Sequence, residues 1–317
     1  MFLSRPRRFG KSLLSSTLRS YFEGRKDLFE GLKIMSLEQE WTEYPVIHID
    51  LSVCKSQENA QALQQRIMLM LKEYANKYGR EEEETTPGSL LQGIVRRACE
   101  QTGRQAVVII DEYDAPLLEV LHEDGLLSGF RRVMQEFYVP LKASDPYLRF
   151  CFITGITKFS QLSSHTPIRT HDWTFSPINN LKNVTMRPDF AAICGITEEE
   201  VKTQLSEDIA RMAVEYECSP EEMFQKIKNM YDGYHFAKIS PDIYNPFSLL
   251  NALDDKDLSS GWFASGTPSY LIRQMQYFRT DITTLDRLEE PAQSFDVPTE
   301  AMITALPLAL SERLSHH

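Results

Sequence analysis

The chain has 317 residues, a formal net charge of −11, 42% apolar residues and 25% charged residues, which fits a folded protein of one large or two ordinary domains and excludes a disordered or fibrous chain. That net charge also excludes a global positive field that would draw nucleic acid, although Arg5, Arg7, Arg8 and Lys11 form a local basic cluster in the sequence. No stretch approaches the ~18 apolar residues of a membrane span, the first residues lack a signal-peptide core, and five scattered cysteines without CxxC spacing disfavour zinc or a disulfide framework, so a reducing cytoplasm is the expected compartment.

In chain order, Phe2-Leu3 opens a strand and Lys11 to Tyr21 reads as a helix, with Leu13, Leu14, Leu18 and Phe22 at helical spacing. Pro45 to Leu51 is a second strand. Asn59 to Tyr78 is an amphipathic helix with Leu63, Ile67, Leu71 and Tyr74 on one side. The acidic run Glu81 to Glu84, followed by Thr85-Thr86-Pro87-Gly88, reads as a solvated loop. Ser89 to Thr102 and Phe130 to Lys142 are helices, and Ala106 to Ile110 and Leu148 to Thr154 are strands. Their nearly continuous apolar character suits strands buried on both faces of a parallel sheet. The alternation gives an α/β fold, a mostly parallel sheet flanked by helices. From about residue 190 helical patterns dominate: Thr197 to Glu217, Ser219 to Tyr231, Asn245 to Leu253 and Pro268 to Tyr277. A domain of residues 1–190 followed by a mostly helical part at 191–308 is therefore expected.

Residues 5–12 read Arg-Pro-Arg-Arg-Phe-Gly-Lys-Ser, against the usual phosphate-binding pattern G-x-x-x-x-G-K-[ST]. The first glycine is replaced by Arg5. In this pattern Gly10 lets the backbone approach phosphates, Lys11 reaches the β and γ phosphates, and Ser12 ligates Mg²⁺. Arg8 and Phe9 complete the loop around the nucleotide, and the helix opening at Lys11 turns its positive end to the anion. Arg7 and Arg8 flank the site; they stabilise transition-state charge, contact a partner or nucleic acid, or are plain surface arginines, and the sequence does not separate these.

Val107 to Ile110 is an apolar strand that ends in Asp111 and Glu112, the Walker B arrangement. Asp111 would bind Mg²⁺ and Glu112 would polarise the attacking water, with Lys11 and Glu112 as the catalytic pair. Carboxylates at the C-terminal ends of strands lie where open α/β sheets bind ligands. The strand ending Phe152-Ile153-Thr154 offers a third element, with Thr154, Thr157 and Lys158 as candidates for sensing the γ-phosphate; a plain strand-to-turn transition is the alternative. ATP and Mg²⁺ are thus the expected ligands.

Six segments, FLSRPRRFGKSLL, VIIDEYDAPLL, FITGITKFS, YDGYHF, YNPFSLLNAL and WFASGTPSYLI, together resemble the bacterial AAA-ATPase-like proteins, from residue 2 to about 308. The resemblance implies a P-loop ATPase domain, often fused to a C-terminal nuclease-like domain of the PD-(D/E)XK superfamily, and nucleic-acid association only by that analogy. It implies that Arg5 in place of glycine is the family's own form, and that Lys11, Ser12, Asp111 and Glu112 are the nucleotide and Mg²⁺ residues. Asp114 of the DEYD segment would orient an Arg or Lys or cap the next helix. His235 reads as a structural or packed residue rather than a catalyst, Asn245 as a helix cap, and Trp262, Phe263 and Tyr270 as core aromatics. By analogy with related ATPases, a winged-helix-like unit is one form the helical part would take. The polar stretch Gln161 to Pro177 is longer than the family's and reads as a surface loop.

Both ends depart from the family. Members normally begin several dozen residues earlier, so the first strand is expected to be a stub that anchors the loop poorly. Residues 309–317 stand where the family continues LFQSGYLTI; a choice of synonymous codons for Ala309 to His317, read one base on, gives that continuation. A frameshifted tail is expected, with a tag remnant as the alternative. A nucleotide-dependent switch that barely hydrolyses, and an inactive fragment of a larger ATPase–nuclease, are the rival readings.

Overall fold

The computed structural model describes residues 1–121, 123–156, 181–231, 233–237 and 239–258. The expectations for Thr157, Lys158, the polar stretch 161–177, the aromatic residues Trp262, Phe263 and Tyr270, the helix at 268–277 and the tail 309–317 lie outside them. Contacts divide the chain into two units. The first holds Met1–Ser4 and Lys11–Val184; the second holds Arg5–Gly10 with the described residues from Thr185 on.

The first unit is an α/β layer structure of the P-loop type. Its strands are β1 (Phe2–Ser4), β2 (Val46–Asp50), β3 (Ala106–Asp111) and β4 (Leu148–Gly155), all parallel, in the order β1-β4-β3-β2. Its helices are α1 (Lys11–Phe22), the short α2 (Ile34–Leu37), α3 (Ala60–Tyr78), α4 (Pro87–Thr102), α5 (Ala115–Glu119) and α6 (Asp124–Ala143). Ala106 to Asp111 is buried along its whole length, as a strand covered on both faces must be. Burying each of the larger apolar side chains in this run contributes ~1.5–3 kcal/mol.

The first strand is a three-residue stub at the end of the strand order, and Phe2 alone of its residues is also bridged on its outer side. Phe2, Leu3 and Ser4 pair with Ile153, Thr154 and Gly155 on one side. On the other, the Phe2 amide donates to the Lys182 carbonyl and the Val184 amide donates to the Phe2 carbonyl, both at 2.9 Å. All three strand residues are buried. Both backbone groups of Phe2 are thereby satisfied.

Helix boundaries follow capping chemistry. The α3 helix starts at Asn59, whose side chain accepts from the Ala62 amide at 2.9 Å. The α4 helix starts two residues before the sequence suggests: Thr86 caps it, Pro87 takes its first turn, and Ser89 closes a capping box. Proline is tolerated there because the first-turn amides have no intrahelical acceptor. The acidic run before it is not simply solvated. Glu84 is buried, and its carboxylate meets the Arg97 guanidinium through two bonds of 2.7 and 2.8 Å.

The second unit is mostly helical, with α7 (Glu198–Gln204), α8 (Ser206–Glu215), α9 (Pro220–Tyr231) and α10 (Pro246–Asp255) and a small antiparallel pair, β5 (Ile196–Thr197) and β6 (Ile243–Tyr244). The single helix expected over 197–217 is broken at Leu205, which ends α7 and precedes α8. Val201, Ile209, Met212, Met223, Phe224 and Ile227 form its core with Leu249 and Leu253. Asn245 caps α10 as expected, accepting from the amides of Phe247 and Ser248. All five cysteines are free thiols. Among the described residues no helix is long and apolar enough to cross a membrane.

Candidate functional site

In the first unit, four of the expected residues come together at the C-terminal ends of the strands. Lys11 opens α1 and is buried, and its Nζ lies 3.4 Å from Oε1 of Glu112. The Ser12 side chain acts on the carboxyl of Asp111, tending to lower its pKa. Asp111 is the last residue of β3 and is 2% exposed. Burial pushes its carboxyl above the ordinary aspartate range; Ser12 and Lys11 oppose that rise, while the charges of Glu112 and Asp50 add to it.

Glu112 adopts a left-handed backbone, φ 49°, which costs an L-residue ~1–2 kcal/mol. Its own amide donates to Oδ1 of Asp111 at 2.9 Å. The chain thus turns at once after β3 and presents two successive acids at the end of one strand.

The rest of the DEYD segment is structural. Tyr113 is buried edge-on to Phe2 at 5.4 Å, and its amide donates to the Thr154 carbonyl at 3.0 Å. The Asp114 carboxylate accepts from the Ile156 amide at 2.9 Å, and it makes no capping bond to α5. It therefore holds the end of β4 rather than capping the helix. Gly155 is required there, because a Cβ would stand 2.5 Å from the Tyr113 ring and 2.6 Å from Asp114.

Thr154 lies on β4, which runs between β1 and β3. It is fully buried, and its hydroxyl makes no hydrogen bond among the described residues. Ser15, one turn into α1, is likewise buried with an unbonded hydroxyl. Buried hydroxyls are ordinarily satisfied, so two without protein partners mark this part of the first unit as polar rather than core. The spacing of Ser15, four from Lys11, puts the two on a shared helix face.

Arg8, Phe9 and Gly10 belong to the second unit. The Phe9 side chain is fully buried, with ring centroids 4.7 Å from Tyr234 and 5.3 Å from Phe236. Its ring is an anchor, so any role toward a ligand falls to its backbone. Gly10 has φ 87°, a conformation glycine adopts without a Cβ penalty. Arg8 is exposed, and its guanidinium carbon lies 3.7 Å from the centroid of the Phe247 ring.

Arg5 is the largest correction to the sequence reading. The local basic cluster is not a continuous surface patch, because both Arg5 and Lys11 are buried. Arg5 donates to the carbonyls of Thr185 and Phe190 at 2.8 Å each and of Ala191 at 3.4 Å, and lies 4.0 Å from the centroid of the Phe236 ring. Burial brings its guanidinium down to about 10. His235 in the YDGYHF segment is not packed inside. It is largely exposed, with Nε2 2.6 Å from Oδ1 of Asp242.

Among the described residues no group of three or more His, Cys, Asp or Glu side chains is set to hold a metal alone. A site built from one hydroxyl and one or two carboxylates suits Mg²⁺ instead, which keeps waters and takes remaining ligands from phosphates.

A curated protein of Azotobacter chroococcum mcd 1, described as "Uncharacterized protein in vnfD 5'region", is 29% identical over 305 residues. That match covers 96% of this chain and 53% of the other, so the chain spans about half the length of the curated relative it matches. No solved structure matches. The model of the AAA-ATPase-like family, described as "Predicted AAA-ATPase", matches residues 1–165, just over half of the sequence. With that match over the sheet, the Lys11 helix and the Asp111-Glu112 strand end, the chain belongs to the AAA-ATPase-like family.

Proposed function

We propose that the chain binds ATP with Mg²⁺ and hydrolyses it by in-line attack of water. The observation that carries this reading is the meeting of Lys11 and Ser12 with Asp111 and Glu112. Cation, hydroxyl and two carboxylates at one sheet edge are the set that phosphoryl transfer to water needs.

Lys11 would hold the β and γ phosphates and stabilise the charge that grows on them. Gly10 would admit the phosphates to the backbone, with Arg8 and Phe9 contributing to the loop. Ser12 and Asp111 would hold the metal. The raised, desolvated carboxyl of Asp111 fits that role, since a cation removes the penalty of ionising it there. Bound there, Mg²⁺ would neutralise phosphate charge. Glu112, 17% exposed at its side chain, would accept a hydrogen bond from the attacking water and orient it. Thr154, with its unbonded hydroxyl, would donate to the γ-phosphate or to a water beside it. Nucleic-acid association would rest on family analogy alone and is not part of this reading.

Phosphate release from Mg-ATP and Mg-GTP, measured for the wild type, Lys11→Ala and Glu112→Gln, tests the proposal. Turnover of ATP by the wild type alone is expected. Binding of Mg-ATP by the wild type and Glu112→Gln with no phosphate release from either makes the chain a nucleotide-dependent binding switch and ends the hydrolase reading.

A further inference from the structure

The loop Arg5–Gly10 contains a backbone conformation that its own sequence disfavours. Arg8 has φ 66° and Gly10 φ 87°. For glycine this is free; for arginine it costs ~1–2 kcal/mol, so neighbouring contacts must hold it. Left-handed residues within a turn make successive amide N–H groups converge, a geometry suited to anions.

Two contacts within the second unit flank that residue. Phe9 is fixed by Tyr234 and Phe236. The Arg8 guanidinium lies 3.7 Å from the centroid of the Phe247 ring. Phe247 stands in the first turn of α10, and its amide is bonded by the Asn245 cap at 3.0 Å. The ring is thus presented by a fixed helix start. It is only half-buried, whereas Phe9 and Phe236 are 0% and 5% exposed. The part of the ring left uncovered gives a face on which a cation can rest.

We propose that Phe247 is a positioning residue for the phosphate-binding loop: its ring holds the Arg8 guanidinium and thereby keeps Arg8 in the left-handed conformation that aims the loop amides at phosphate. This rests on the nucleotide-binding reading above. It links a residue of the helical segment, far away in sequence, to affinity for nucleotide.

The experiment is calorimetric titration of the full chain with Mg-ADP, alongside melting without nucleotide. Phe247→Ala is expected to weaken binding about fivefold, the worth of one such contact, with little change in the melt. Phe247→Tyr, which keeps the aromatic face, restores it. Arg8→Gly takes the left-handed conformation without penalty, so in that background Phe247→Ala changes affinity less than about twofold, a coupling read by a double-mutant cycle. If Phe247→Ala does not melt cooperatively, Phe247→Leu keeps the bulk without the aromatic face and carries the same expectation. Wild-type affinity in the Ala or Leu variant, failure of Tyr to restore it, or an equal loss in the Arg8→Gly background overturns the proposal. If neither the wild type nor Lys11→Ala binds Mg-ADP or Mg-ATP, the nucleotide reading falls, and this positioning role falls with it.

Discussion

Lys11 Nζ lies 3.4 Å from Oε1 of Glu112, so the loop's cation and the second acid of the β3 end are each other's charge partner in a largely buried setting. In the proposed reaction, phosphate oxygens would compete with Glu112 for Lys11, leaving the carboxylate to face water. Glu112→Gln keeps the shape and removes the charge. Its phosphate release from Mg-ATP is expected to fall at least about 100-fold, the lower range for loss of a positioned acid–base group. Its affinity for Mg-ATP should be retained or rise, because Lys11 is no longer shared. Turnover within about tenfold of the wild type would remove Glu112 from the chemistry.

Asp111 separates stability from function. Its carboxyl is raised by burial, with Ser12 only partly opposing the rise. An acid raised on folding contributes stability that is complete below its unfolded pKa and is lost as pH rises through the folded value. At neutral pH the ionised Asp111 therefore costs stability. Asp111→Asn should melt higher without ligand by roughly 2–4 °C, for a gain of about 1 kcal/mol in a chain of this size. It should also lose the rise in melting temperature that Mg-ATP gives the wild type. A variant that melts lower without ligand shows that the carboxylate is stabilising as it stands.

Much of the first unit was legible because its strands are buried on both faces. Val107 to Ile110 are each fully buried, and the nearly continuous apolar run that results is read directly from sequence. The α1 helix was legible as a helix, with Leu13 the one apolar position misplaced. Leu13 is 71% exposed, while Lys11 and Ser15 are buried. Leu14 and Leu18 are partly buried and Phe22 is buried on the same side as Lys11 and Ser15, so of the apolar positions only Leu13 points away.

The roles of Arg5, Phe9 and the YDGYHF segment were not legible. Phe9 meets Tyr234 and Phe236 across more than two hundred residues, and no local period encodes a contact of that separation. The break at Leu205 was hidden for the opposite reason. Val201, Leu205, Ile209 and Met212 keep helical spacing straight through it, so the pattern looks continuous where the backbone is not.

The ion pair of Glu84 with Arg97 anchors the acidic run to α4. Gly93 stands so close that an added Cβ would come 1.6 Å from Glu84 Oε1, so the carboxylate is seated against the helix itself. Arg97→Met leaves that buried carboxylate without its guanidinium and should lower stability by about 3 kcal/mol, measured by denaturant unfolding. Burial raises the Glu84 pKa, but the Arg97 bonds and the Glu81 amide outweigh it and leave the carboxyl below its ordinary value. Its contribution is therefore present above about pH 4.5 and is lost as pH falls through the lowered folded value. The variant should lose less stability than the wild type on acidification through that window. Equal losses would show that the pair does not set the acid limb.

Arg5→Gly restores the first glycine of the usual phosphate-binding pattern, and a sequence-based argument would expect tighter nucleotide binding from it. The structure gives the opposite expectation. Arg5 is 1% exposed, bonds three carbonyl groups and rests against the Phe236 ring. Glycine there would leave the Thr185, Phe190 and Ala191 carbonyls without a charged donor and would open a cavity of side-chain size. Each lost bond to a charged donor costs ~1.5–3 kcal/mol, and the cavity adds to that, so a loss of several kcal/mol is expected. Arg5→Lys keeps the charge but cannot span the same three acceptors with a planar fork, and should fall between the two. Unfolding monitored by tryptophan-independent far-ultraviolet circular dichroism, with and without Mg-ATP, orders the three chains. Wild-type stability or improved nucleotide affinity in Arg5→Gly would show that this buried guanidinium is dispensable to the loop it begins.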